Sequence, residues 1–368
     1  MRLLIAPNAF KGTIPADQAA EIIAKEIGKD LSLDCTIQPV ADGGDGTCHL
    51  LIESLNLEKI PVLTLNAVGQ PIEGYFGWDS KNKKAFLDIS TASGIGVLEG
   101  NQKDPHITST FGTGLIIQKA VEIGAREVIL GLGGSATVDL GTGILNALGI
   151  LFLDEKGREI PAFSQGFLKS IRHIQKSPLI PKIKFTCLCD VRNLFFGENG
   201  AVKVFGPQKG LSPNHINSFE KDCETVTRLL VKKSQKEWLD RPGFGAAGGV
   251  ALGLSLFFET EIEFGAHYFL ELVNMKEKIL QSDWIITGEG QYDAQSDQGK
   301  ASFELLKLAQ ANHKKIALIT SGTGGEGSGF DLILELPALD FSSPDYKEKA
   351  RQNLSGLINA VFKDRKFV

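Results

Sequence analysis

No apolar run in the 368 residues reaches the ~18 that a membrane-spanning helix needs; the longest, around Gly248 to Phe258, stops well short. Basic excess is missing too. The 39 Lys and Arg face 44 Asp and Glu, and the two signs are mixed along the whole chain. That removes the electrostatic footprint of a nucleic-acid binder. Cysteine is sparse and odd in number (Cys35, Cys48, Cys187, Cys189, Cys223), so no disulfide framework is implied and a reducing compartment is expected. The opening MRLLIAPNAFKG has too short an apolar stretch for a signal peptide, which makes a cytoplasmic protein the expectation. The six histidines are isolated, and Cys187 and Cys189 alternate inside an apolar strand, so no zinc cluster is suggested. No G-x-S-x-G elbow occurs. A Walker A loop is excluded because Ala294 stands six residues before Lys300, where glycine is required.

What is present is glycine, 41 residues, mostly in clusters that end apolar runs. The length exceeds the roughly 250–300 residues that one core supports, which favours two domains. Strand, loop and helix open the chain: Leu3 to Ala6, Pro7 to Ile14, then Pro15 to Ile27 with one apolar face. Cys35 to Val40, the loop Ala41 to Gly46 and a helix from Thr47 repeat the unit. Three β-rich runs between Lys59 and Ile89 read as a meander. Further helices are expected over Gly112 to Ile123, Thr137 to Leu148 and Asn214 to Lys232. Strand and helix alternate again after Trp284. The similar ends predict a discontinuous doubly wound α/β domain, 1–60 with 283–368, around an inserted α/β domain, 61–282.

Glu127 to Gly149 is the richest segment. A strand runs into Gly131, Gly133 and Gly134, and Ser135 and Thr137 are read as opening a helix whose free amides suit an anion. The same residues spell G-x-G-x-x-A with Asp154 about twenty residues on, the pattern of a dinucleotide-dependent oxidoreductase. Gly141 and Gly143, which interrupt that helix, weigh against it. Gly322, Gly324 and Gly327 repeat the glycine spacing, but no credible helix follows. Strand-ending acids next to glycine recur, with lysines close by: Asn8-Ala9-Phe10-Lys11-Gly12, Asp42 and Asp45, Asp190, Glu289 and Asp293, with Lys209 and Lys300. Phosphoryl transfer needs these types, carboxylates for a hard Mg²⁺ ion and cations for the developing charge. A sugar-acid or nucleotide sensor on an α/β scaffold is the non-enzymatic alternative.

These segments, PNAFKGT, ADGGDGT, ASGIG, TFGTG, GLGGSAT, CDV with GPQKG, GAAGG and TGEGQYDAQSDQGK, stand in the order of the type-1 glycerate kinases, which the chain resembles over nearly its whole length. Departures are Asn8-Ala9 for Asp-Ser, Asp45 for Glu, Val138 and Leu140 within the S-A-T-N-D-G-G pattern, Leu194-Phe195 for Pro-Leu, and Ala301-Ser302 where a Pro is common. The resemblance implies a flavodoxin-like (Rossmann-like) domain built from both chain ends with a large mixed α/β domain inserted. It also implies transfer from ATP, with Mg²⁺, to D-glycerate, giving 2-phosphoglycerate in preference to 3-phosphoglycerate. Asp190, Lys11 and Asp293 are then the catalytic candidates. Asp42, Gly133, Gly134, Ser135, Lys209, Glu289 and Lys300 are the substrate and phosphate candidates, and Asp42, Asp190 and Glu289 the metal ligands. Neither nucleic acid nor membrane is an expected partner.

Overall fold

A computed structural model describes residues 1–28, 33–292, 300–322, 324 and 327–363. Its strands, in chain order, are β1 (Arg2–Ile5), β2 (Asp34–Ile37), β3 (Glu58–Leu65), β4 (Pro71–Asp79), β5 (Lys84–Asp88), β6 (Glu127–Gly131), β7 (Ile150–Leu153), β8 (His173–Lys176), β9 (Lys184–Cys189), β10 (Glu259–Phe264), β11 (Trp284–Gly288), β12 (Lys315–Ser321) and β13 (Leu332–Leu336). The protein is mixed α/β, with one sheet of parallel pairs and one mixed sheet as its larger sheets. Two compact units emerge, Met1–Asp42 with Phe264–Val368, and Gly43–Glu263. The turning points therefore fall at Asp42 and Phe264, where the sequence reading placed them at 60 and 283. Thr47–Ser54 packs on β5 and β6, and Gly265–Leu272 and Met275–Leu280 pack on Ala301–Ala311, which accounts for the shift.

The first unit orders its strands β13-β12-β11-β1-β2. Each strand alternates its side chains between two faces. Leu3, Ile5, Ile286, Ala317 and Ile319 form one core with Ala19, Ala20, Ile23 and Ile27 of Ala16–Ile27 and with Leu354 and Ile358 of Tyr346–Lys363. Leu4, Ile285 and Leu318, the alternate residues, are equally buried. Burial on both faces explains why these strands read as unbroken apolar runs. From β1 the chain passes to β2 on one side and later returns to place β11 on the other, so the strand order reverses between β1 and β11, where open α/β sheets form ligand crevices.

The second unit runs β10-β9-β6-β5-β4-β3, antiparallel through β3, β4 and β5 and parallel through β5, β6 and β9. A separate antiparallel pair joins β7 and β8. Among the described residues no helix is long and apolar enough to cross a membrane.

The helix expected over Thr137 to Leu148 is confined to Thr142–Ala147. Leu140 (φ 56°) and Gly141 (φ 67°) turn the chain out of the right-handed region just before it, so Ser135 and Thr137 lie in irregular backbone. A six-residue helix starting beyond them cannot supply the expected anion site.

Candidate functional site

In the first unit the site residues gather at the carboxyl edge of the parallel sheet. The backbone N–H of Asn8, beyond β1, donates to the Gly288 carbonyl at 2.8 Å and ties the Pro7 to Lys11 loop to the end of β11. Buried Asn8 donates from Nδ2 to Asp42 Oδ2 at 3.0 Å, while its Oδ1 accepts from the Ala9 N–H at 2.7 Å. Lys11 is exposed. Glu289 continues β11 and is 3% exposed; Lys300 Nζ stands 3.3 Å from its Oε2. Burial pushes the Glu289 carboxyl up, the Lys300 ammonium opposes it, and the charge of Asp42 adds to the upward push. Asp42, Glu289 and Lys300 thus form one electrostatic group. Asp293 lies outside the described residues.

In the second unit three parallel strands end side by side. β5 ends in Asp88, whose Oδ1 and Oδ2 accept from the N–H groups of Cys48 and His49, each at 3.0 Å. This buried carboxylate thereby satisfies the first amides of Thr47–Ser54. Burial raises it to about 7 against those two donors. β6 leads into Gly131 to Ser135. A Cβ on Gly133 would lie 2.2 Å from the Asp45 nitrogen and the Gly44 carbonyl carbon, so only glycine lets these two loops touch. Ser90 Oγ donates to Asp45 Oδ1. β9 ends at Cys189, and Asp190 follows it, exposed.

Beneath the β6 loop sits Lys209, 4% exposed, on the short turn Pro207–Lys209. Its Nζ donates to Ser135 Oγ and to the Thr137 carbonyl, both at 2.8 Å. Burial pushes its ammonium down to about 7, with the Asp139 carboxylate working the other way. The structure therefore brings Gly133, Gly134, Ser135 and Lys209 together around a buried cation. Asp88 and Asp139 were missed in the sequence. Asp88 is the last residue of an apolar strand, which was its only signal, whereas Asp139 stands at the acid of the S-A-T-N-D-G-G pattern and was passed over there.

The dinucleotide reading fails on topology. β7, which would carry the ribose acid, pairs with β8 and not with β6, and Asp154 is bonded to Arg158 at 2.8 Å in a hairpin turn.

A resident Mg²⁺ would need hard oxygen donors, and Asp42 and Glu289 provide two carboxylates close enough to feel each other's charge. Among the described residues no three His, Cys, Asp or Glu side chains form a metal-holding group. Mg²⁺ requires no such cage, since it commonly keeps waters and binds one or two carboxylates with substrate phosphates. The donor set fits. Asp190, the third metal candidate, belongs to the other unit.

The model of the glycerate kinase family matches residues 3–365. The chain is 34% identical to the glycerate 2-kinase of Escherichia coli (strain K12) over 322 residues, 86% of this chain and 84% of that one. To the glycerate kinase of Halalkalibacterium halodurans it is 33% identical over 337 residues, 90% and 88% of the two chains. The solved structure given as glycerate kinase 2 of Salmonella typhimurium LT2 superposes with a TM-score of 0.81 at 28% identity, covering 100% of both chains.

Proposed function

Because the chain belongs to the glycerate kinase family, we propose that it transfers the γ-phosphoryl group of ATP to D-glycerate, giving 2-phosphoglycerate and ADP. It is a kinase. The observation that carries the substrate reading is the buried Lys209 ammonium held against Ser135 beneath a glycine loop, a cation placed for a small anion. Glycerate brings a carboxylate and the reaction brings phosphate charge. Lys209 and Ser135 bind one of these anions, while the Cβ positions of Gly133 and Gly134 face Gly44 and Asp45, so these glycines act by letting the loop that carries Ser135 pack there. Lys11 and Lys300 offer further cations. Asp190 accepts the proton of the attacking hydroxyl, and a catalytic role for Asp293 rests on resemblance alone. Asp42 and Glu289 would hold Mg²⁺, which when bound screens the charge of the polyphosphate. The E. coli relative's name supports attack through the 2-hydroxyl.

The domain reading follows the same lines. Renumbered within the first unit, its sheet runs 2-1-3-4-5, which supports a flavodoxin-like domain made from both chain ends around the inserted second unit. Five free thiols suit a reducing, cytoplasmic setting.

Incubation with D-glycerate, ATP and Mg²⁺ tests the reading. ADP release should depend on D-glycerate and stop in excess EDTA. Tight binding without ADP release would favour the sensor, and a change in NAD(P)H absorbance with ATP absent would restore the oxidoreductase.

A further inference from the structure

Asp139 stands four residues beyond Ser135, is 4% exposed, and has no part in the reading above. Its Oδ2 accepts from the Thr110 N–H at 2.9 Å, from Thr110 Oγ1 at 2.8 Å and from the Gly143 N–H at 3.2 Å. Its Oδ1 accepts from the Gly141 N–H at 3.2 Å. Thr110 Oγ1 also accepts from the Ile144 N–H at 3.1 Å. One carboxylate thus joins the starts of Phe111–Glu122 and Thr142–Ala147. The two meet so closely there that a Cβ on Gly143 would lie 2.2 Å from the Phe111 nitrogen. Between these anchors and Ser135 the chain passes through the Thr137 carbonyl, which holds Lys209 Nζ.

We propose that Asp139 is a positioning residue for the kinase reaction: it fixes the Ser135 to Gly141 backbone beneath Lys209 and supplies the buried counter-charge that keeps Lys209 cationic for the substrate anion. The proposal rests on the reading of Lys209 as an anion-binding group.

Two features support the charge role. Burial pushes the Asp139 carboxyl up, and the four donors that converge on it work the other way, favouring the carboxylate. The charge acting on Lys209 against its burial is that of Asp139. Other titratable groups near Asp139 are His106, Lys169 and Asp222, which line the small cavity reaching it, and Cys223, whose thiol burial pushes up.

The test uses the pH profile of kcat/KM for D-glycerate, with KM for ATP as the control. Asp139→Asn preserves shape and removes the charge, so the basic limb governed by Lys209 should move down by about one pH unit, with KM for glycerate raised about tenfold at pH 8 and KM for ATP unchanged. Thr110→Val keeps the charge and removes one anchor. It should raise KM for glycerate severalfold with the limb in place, and it serves also if the Asn variant does not fold; an unchanged KM there would overturn the positioning role. A limb that stays put in a folded Asp139→Asn protein would overturn the charge role. Lys209→Met separates the two levels: wild-type KM for glycerate in that variant would remove the underlying reading of Lys209. A raised KM that Asp139→Asn does not raise further is the coupling expected here.

Discussion

At the carboxyl edge of the first unit's sheet, charge is balanced side chain against side chain. Lys300, its side chain 31% exposed, faces Glu289, and Asn8 reaches across to Asp42. At the carboxyl edge of the second unit's sheet, backbone does most of the balancing. Asp88 holds two helix amides, Asp139 holds three amides and a hydroxyl, and Lys209 rests on a carbonyl and Ser135. In the first arrangement Lys300 is partly exposed but Glu289 is buried, so Lys300 can swing away only where another cation takes its place beside that carboxylate. The second is fixed by the fold, and disturbing it strands buried polar groups. One edge therefore calls for a cation beside Glu289, the role proposed for Mg²⁺. The other suits a preformed anion cradle.

The largest expected effect comes from Asp190, the proposed base at the end of β9. Asp190→Asn should leave folding intact while kcat falls by about 10²–10⁴ if Asp190 is the base. Near wild-type kcat, measured by steady-state turnover, would move the role to Asp293 or Asp42. Next is the contact that makes the second edge rigid. Gly133→Ala forces a Cβ against the backbone of Gly44 and Asp45 and should cost about 3 kcal/mol or more in urea unfolding. A loss under 1 kcal/mol would show that the two loops can part.

Asp88 offers a pH-dependent version. Its carboxyl is raised from 3.8 to about 7, so the native state holds a proton that the unfolded chain has lost. Stability should therefore fall as pH rises from about 4 to about 7 and then level off, by at most about 4 kcal/mol from this group. Asp88→Asn should flatten that slope in unfolding midpoints taken across the range; an unaltered slope would assign the effect elsewhere. The smallest effect belongs to the first edge. Lys300→Met removes the cation that opposes the upward shift of Glu289, so the acid limb of kcat should move up by only a few tenths of a pH unit, less than the shift of about one unit expected for Asp139→Asn. A shift as large as that of the second-unit variants would erase the contrast between the edges.

The strand-ending loops were legible because glycine beside an acid or lysine has few uses inside an apolar pattern. Asn8, Asp42, Glu289, Ser135 and Lys209 were all singled out that way. Helices with one apolar face, such as Ala16–Ile27 and Ile216–Ser234, were read to within two residues. Thr137 to Leu148 was misread because its apolar spacing fits a helix, while Asp139 draws the chain's amides to its own carboxylate and holds Leu140 and Gly141 at positive φ. Local hydrogen bonding of this kind competes with the helix and leaves no period behind. The placement of Thr47–Ser54 was hidden for a related reason. Its partner Asp88 lies forty residues from Cys48, and nothing in the intervening meander announces that a strand-ending acid will hold a distant helix.

The measurement that bears most directly on the central claim is phosphorus NMR of the product formed from D-glycerate, ATP and Mg²⁺. A phosphomonoester resonance coupled to the single C2 proton, rising with ADP, is the result predicted. Coupling to the C3 methylene pair would place the transfer at the other hydroxyl. The absence of any new phosphomonoester would contradict the assignment of this chain as a D-glycerate phosphotransferase.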